Sequence, residues 1–307
     1  MYDSPLLYLD PFATLARAAE RTRRIGLGVG VLVPGLRTPV ATAAGLRTLA
    51  ALAPGRVRAA VGAGFTGRFT LGLPPASLGR VEAEVGALRA LLAGAEATHP
   101  EGGRPVRAIP VPGAGGPVEG PIWVACRAPG AQALAARVGD GAITGILHPG
   151  GVGAVRAGIG PDLPLAVHAV AAVAEPGEPL TSPRLLAAVG PVVGVGFHAF
   201  AEQPWRLSGL DDDLREQAEA YVAAIERALP RERRHQELHR GHLVEVVLDA
   251  DRPLLTAENV ARFALCGTEA ELRERAAALA AEGVDELAVQ PGGDVPGELR
   301  RLAAALI

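Results

Sequence analysis

The 307-residue chain contains no lysine: all 30 of its basic residues are arginine. Without a lysine amine there is no Schiff base, which excludes ordinary pyridoxal-phosphate and class I aldolase chemistry. A GK[ST] phosphate loop is excluded on the same ground. Cysteine is nearly as scarce. Cys126 and Cys266 stand alone, with neither a CxxC pair nor a metal-ligand spacing, so the chain reads as cytoplasmic with free thiols and no metal site. An excess of charge of either sign is also lacking. The net charge of −3 supplies no basic field for nucleic acid. No apolar run reaches the ~18–20 residues of a membrane span. The opening MYDSPLLYLDP has neither the basic region nor the apolar core of a signal peptide. These absences leave a small molecule as the expected partner.

What is present is alternation. Short apolar runs predict six strands, at 24–33, 57–62, 121–125, 141–146, 165–174 and 286–290. Between them lie helical patterns. PFATLARAAERTR carries Phe12, Leu15, Ala16 and Ala19 at helical spacing behind Pro11. TPVATAAGLRTLAALAPG ends at Pro54-Gly55, and residues 74–94 place Leu78, Val81, Val85, Leu88 and Leu92 on one stripe. Further helices are predicted over 129–139, most of 184–229 with a DDD cluster opening its second piece, 268–284, and the closing VPGELRRLAAALI. Residues 95–120 form a Pro/Gly-rich excursion. Strands this apolar are not half exposed. The pattern therefore calls for parallel strands covered by helices, and the number of units favours a TIM (β/α)8-type barrel over an open doubly wound sheet. No composition shift or linker divides the chain, so a single domain over 1–307 is expected.

Two motifs invite other readings. Residues 62–67, GAGFTG, match the dinucleotide fingerprint after a strand. The residues that follow, RFTLGLPPA, do not read as the helix whose N-terminus would hold a pyrophosphate. His235-Gln-Glu-Leu-His239, followed by His242, has histidines at i, i+4, but its glutamate sits one place too late for a zinc helix. The flanking RERR favours a solvated helical face. His242 is left as a residue that can separately face a substrate.

The stretch RIGLGVGVLVP, residues 24–34, poses the sharpest question. Gly26, Gly28 and Gly30 leave one face of a strand bare. Either the glycines permit close packing, or a planar group lies against the backbone there.

Beside that stretch stand YDSPLLY, the helix-bearing PGLRTPVATAAGLRTLAALAPGRV, VGAGFTGRFTLG and VACRAPGAQALAARVGDGAI. Together, in this order, they resemble the luciferase-like superfamily of flavin- or deazaflavin-dependent (β/α)8 barrels. Within it they are similar to the branch using coenzyme F-420, which includes the methylene-tetrahydromethanopterin reductases. The resemblance runs from Asp3 to about Thr144 and returns at CGTEAELRERAAALAAEGVDELAVQP; residues 150–260 are not diagnostic. It implies a single luciferase-like domain and an oxidoreductase that moves a hydride between coenzyme F-420 and a small organic substrate. FMN-dependent monooxygenation on the same site is the alternative. A non-catalytic flavin-binding homologue is a third reading. Family members are often dimers, which implies a homodimer here.

The resemblance also implies site residues. In the family the glycine strand carries a bulge, often with a non-proline cis peptide, that supports the ring; the matching bond is Gly30–Val31. Asp3 matches an acid near the ring. Ala63 and Gly64 match backbone contacts to the cofactor. Cys126, Arg127 and Ala128 match a turn that presents backbone N–H groups to the cofactor phosphate. Three departures matter. The turn is usually glycine-rich, whereas CRAP inserts an arginine. Ser4 and Phe65 stand where some deazaflavin alcohol dehydrogenases carry a histidine and a glutamate, so that acid/base pair is absent, no catalytic residue is assigned, and Phe65 implies an apolar wall. Family members also begin with a strand, a helix and a second strand before the YDSPLLY segment. The expectation is therefore a barrel lacking its first strand and helix, from a late-assigned start.

Overall fold

A computed structural model describes residues 1–98, 103–108, 116–148 and 150–307. Part of the predicted excursion over 95–120 lies outside the described residues. The chain divides into two compact units, 1–144 with 155–165, and 145–154 with 166–307.

The first unit is an alternation of strand and helix. Helix α1, Pro11–Arg21, starts at Asp10, whose side chain accepts from the Ala13 amide. Strand β1, Leu27–Leu32, leads to α2, Pro39–Leu52, which starts at Thr38. Strand β2, Val57–Val61, is followed by the five-residue α3, Phe65–Phe69, and then α4, Leu78–Leu92. The two-residue strands β3, Ala97–Thr98, and β4, Pro105–Val106, pair antiparallel. Strand β5, Ile122–Ala125, helix α5, Pro129–Val138, and strand β6, Gly141–Thr144, complete the alternation.

Strands β1, β2, β5 and β6 lie parallel in that order, in the register Val29↔Ala59↔Ile122 and Val124↔Ala142. Leu27, Val29, Val61, Ile122 and Val124 of the strands are buried, as are Leu15, Leu46, Leu49, Val85 and Leu88 of the helices. A parallel sheet buried in this way explains why the strands carry so few polar residues.

Helix α6 spans Gly151–Ile159, and the carboxylate of Glu282 accepts from the Gly150 and Gly153 amides at its start. The second unit is built on β7, Leu165–Val173, buried along nearly its whole length. The elements that follow are α7, Pro183–Glu202; α8, Asp212–Ala228; α9, Arg234–Glu237; α10, Ala257–Phe263; β8, Leu265–Gly267; α11, Glu269–Ala281; β9, Glu286–Pro291; and α12, Val295–Leu306. Strand β7 pairs in parallel with β9 over Ala166–Ala171 and with β8 over Ala171–Val173. Asp211, from the DDD cluster, caps α8 as expected, and Thr268 and Glu271 form a capping box on α11.

All six predicted strands are present, within a few residues of their expected ends. The short strands β3, β4 and β8 were not expected. Helix α7 is long and apolar enough to cross a membrane by length and composition, but Leu185, Val189, Val193 and Phe197 are buried in the second unit.

Two readings need correction. A helix does open after GAG, but α3 runs only five residues and begins inside the GAGFTG motif. The HQELH segment is only in part a solvated face: Gln236 is exposed, whereas Leu238 and His239 are buried. His239 is only 1% exposed, and its Nε2 lies 2.5 Å from Glu202 Oε1. His242 is buried as well, and burial pushes its imidazole down to about 3, with His239 and His198 acting in the same direction. The arginines of RERR are exposed or half-buried, whereas His239 is covered by Glu202 and His198 of α7, which are distant in sequence. No group of three metal-ligating side chains forms among the described residues.

Candidate functional site

The residues singled out in the sequence gather in the first unit, around the C-terminal ends of β1, β2 and β5. The bare face of β1 resolves into two different causes. A side chain at Gly28 would stand 2.7 Å from the Arg58 carbonyl oxygen, so Gly28 is glycine because β2 lies against it. A side chain at Gly30 would meet nothing within 4 Å. Gly30 thus borders open space, and close packing does not account for it.

At that point β1 leaves regular geometry. The pairing passes from Gly30↔Ala60 to Leu32↔Val61, so Val31 is the extra residue of a bulge. The Gly30–Val31 peptide is cis. The side chain of Val31 turns toward Gly62 and Ala125, where Cβ growth at Gly62 would collide with it at 2.9 Å. Backbone is thereby left as the floor beneath the open space.

Asp3 stands beside this floor. Met1 positions it: the Gly30 amide donates to the Met1 carbonyl at 2.9 Å, and the Met1 ammonium donates to the Gly28 carbonyl at 3.0 Å. The Asp3 residue is 2% exposed. Arg37 Nε donates to its Oδ1 at 3.2 Å, and Arg37 also reaches Asp10 while stacking over the Phe12 ring. Asp3 Oδ2 is buried with no hydrogen-bond partner. Burial raises the Asp3 carboxyl above its ordinary value, against the opposing pull of Arg37. A buried carboxyl with one oxygen unserved is an open request for a polar partner.

The loop after β2 closes another side. Gly64 has φ +72°, and a Cβ there would stand 2.1 Å from Val33 Cγ1, so this position admits only glycine. Gly64 begins α3, and Gly67, one turn on, packs against the Asp3 carbonyl. Ala63 precedes it, its carbonyl accepting from the Ala76 amide at 2.8 Å. Phe65 is 41% exposed and tilts against Phe69 with ring centroids 6.1 Å apart.

After β5, the CRAP turn enters α5 at Pro129. The Cys126 amide donates to the Ile143 carbonyl at 2.9 Å and so belongs to the sheet. Of the three turn residues, Arg127 and Ala128 are the ones whose amides precede the helix start; Ala128 occupies the cap with no side-chain acceptor. The Arg127 residue is exposed, yet its guanidinium is crowded enough that burial lowers its pKa. The Cys126 thiol is buried and pushed up to about 11, which disfavours its thiolate at neutral pH.

The sequence did not point to Arg37, which orients Asp3, or to Arg68, which lies in the same loop. Arg68 is 9% exposed. Its Nε donates to the Pro74 carbonyl at 2.6 Å and its Nη1 to the Pro34 carbonyl at 2.9 Å.

This arrangement is a backbone floor on a parallel-sheet strand, a glycine-walled loop and a helix-start turn, all at strand C-termini. It is the kind of site in which an α/β enzyme holds a planar cofactor with an anionic tail. The chain belongs to the luciferase-like monooxygenase family, whose model matches residues 2–286. It is 37% identical over 138 residues to an F-420-dependent glucose-6-phosphate dehydrogenase of Beutenbergia cavernae, a match covering 42% of this chain and 40% of that protein. Among solved structures it is similar to the coenzyme F-420-dependent tetrahydromethanopterin reductase of Methanopyrus kandleri. That match has a TM-score of 0.69 and 19% identity, and covers 98% and 87% of the two chains. It is also similar to the monooxygenase RslO1 of Streptomyces bottropensis, with a TM-score of 0.59, 19% identity and coverage of 97% and 82%. These likenesses give the fold: an α/β barrel of the luciferase-like kind.

Proposed function

We propose that the chain binds coenzyme F-420 on the β1 floor and moves a hydride between the deazaflavin and a small organic substrate. The observation that carries this reading is the open space over Gly30, bounded by a buried Asp3 oxygen without a partner. The residues present fit a planar ring with polar edges. Gly30 and the bulged backbone at Val31 let it lie close, Ala63 and Gly64 border it, and Asp3 offers a hydrogen bond to its edge. Arg127 and Ala128, at the start of α5, suit a phosphate. The deazaflavin supplies the hydride chemistry. The protein's own part is to orient the ring, to keep water off one face, and to place at its edge the Asp3 carboxyl, which burial raises and Arg37 orients. The F-420-dependent relatives support this cofactor. The likeness to the monooxygenase RslO1 keeps monooxygenation, with FMN as the cofactor on the same floor, as the second reading.

A fluorescence titration with oxidised coenzyme F-420 and, separately, FMN tests the proposal. Preferential binding of the deazaflavin, weakened at least about tenfold by Gly30→Val with the circular dichroism unchanged, is the expected result. Preference for FMN moves the reading to monooxygenation. Binding of neither defeats both.

A further inference from the structure

Arg68 and Arg80 present an imbalance that the proposed cofactor site leaves unexplained. Arg68, on α3, sits one helical turn beyond Gly64, to whose carbonyl its amide donates at 3.1 Å. Its guanidinium is nearly buried, yet it is bonded only to two neutral carbonyls. Arg80 is exposed in the first turn of α4. The two guanidinium groups converge on the turn after β1. Arg68 Nη1 and Arg80 Nη2 each come within 2.9 Å of the point where a Gly35 side chain would begin, so they stand no farther apart than twice that distance. Gly35 has φ +85°, and with no Cβ it leaves that point to the two cations.

Neither guanidinium meets a carboxylate within ion-pair distance among the described residues. Glu84, one turn along α4 from Arg80, feels the charge of Arg80 and is itself buried. Burial lowers the Arg68 pKa, and the like charge of Arg80 lowers it further. Nearby arginines behave otherwise: Arg37 pairs with Asp3 and Asp10, Arg89 with Asp140, and Arg137 with Glu82. Two unpaired cations, one of them desolvated, are costly unless an anion completes them. A pair of guanidinium forks presents the fixed donors that a phosphate or carboxylate accepts.

We propose that Arg68 and Arg80, over the Gly35 turn, form an oxyanion site that receives a phosphate or carboxylate group of the substrate. The place is distinct from the CRAP turn, which lies after β5 on another strand. Gly64 and Gly67 connect it to the floor beside Asp3, so an anionic group held at the arginines leaves the rest of a small molecule near the ring. The assignment to the substrate rests on the hydride-transfer reading; the anion site itself does not.

Inorganic phosphate and succinate are the probes, followed by thermal shift against sodium chloride of equal ionic strength, with and without saturating coenzyme F-420. One or both probes are expected to raise the unfolding midpoint beyond the salt control. Phosphate alone points to a phosphorylated substrate, succinate alone to a carboxylate. Arg80→Gln, on an exposed side chain, is expected to keep the fold and the F-420 affinity while weakening the probe's binding about tenfold or more. Arg68→Gln, checked by circular dichroism, is expected to do the same. The proposal is overturned by a response no larger than that to salt, by an unchanged response in Arg80→Gln, or by loss of the response once F-420 is bound. Failure of F-420 to bind the wild type counts against the hydride-transfer reading and leaves the probe response to judge the arginine site.

Discussion

At the scale of single residues, glycine is used here for unrelated ends. Gly28 is held by a carbonyl of the next strand, Gly64 by its left-handed backbone and Val33, and Gly30 by neither. Gly64→Ala forces a side chain into Val33 and a strained φ together. It is expected to destabilise the fold by about 2 kcal/mol or more, read from the urea midpoint. Glu84 carries a second prediction. Burial pushes its carboxyl up to about 7 against the pull of Arg80. The folded state then holds a proton that the unfolded chain releases near 4.5, so stability declines as pH rises from about 4.5 to about 7 and is level above that. The contribution is at most roughly 3 kcal/mol. Glu84→Gln, which keeps the neutral form at every pH, is expected to flatten this slope in urea titrations at pH 5 and pH 8; an unchanged slope removes Glu84 as its source. The site residues were legible unevenly at this scale. Asp3, Gly30 and Gly64 fall in contiguous motifs. Arg68 and Arg80 meet only because α3 and the start of α4 converge on the turn after β1, although RFTLGLPPASLGR does show two arginines bracketing eleven uncharged residues.

At the scale of elements, buried polar clamps organise the second unit. Glu298 of α12 is 1% exposed. Its Oε2 accepts from the Val173 amide at 3.0 Å, and its Oε1 accepts from Arg184 and Arg301, each at 2.6 Å. Arg184 also donates to the Val173 carbonyl at 2.8 Å. One carboxylate thus ties α12 and α7 to the end of β7. Glu298→Ala leaves the β7 amide and two guanidinium groups without it, and is expected to lower stability by roughly 3–5 kcal/mol. A second clamp joins α7, α8 and the loop before α10. Tyr221 donates to Asp251 Oδ1 at 2.8 Å, with His198 Nε2 3.3 Å from the same oxygen. Asp251→Ala is expected to cost a comparable amount, whereas Asp249→Ala, on an exposed side chain in the same turn, is expected to cost under about 0.5 kcal/mol. Long elements were readable because periodicity accumulates over many residues. Strand β8 was not, since three residues carry no period and its pairing with the far end of β7 is non-local. The HQELH stretch misled for the complementary reason: local charge described its neighbours in sequence and not its neighbours in space.

At the scale of the whole molecule, the absence of lysine meets the burial of the groups that would otherwise titrate in base. The Cys126 and Cys266 thiols are both pushed up to about 11 by burial. They are expected to ignore a disulfide reagent at pH 8 until denaturant is added, and stoichiometric labelling of the native chain would contradict their burial. Tyr2 and Tyr221 are raised as well, both chiefly by burial. Arginine stays protonated throughout the range. With its α-amino group lowered, the folded chain has almost nothing left to give up across the mildly alkaline range. Its electrophoretic mobility should therefore run nearly flat from about pH 8 to pH 10, where lysine-bearing proteins drift steadily anodic. The folded protein is a poor alkaline buffer, and the same buried thiols and phenols would begin to take part in that titration once it unfolds.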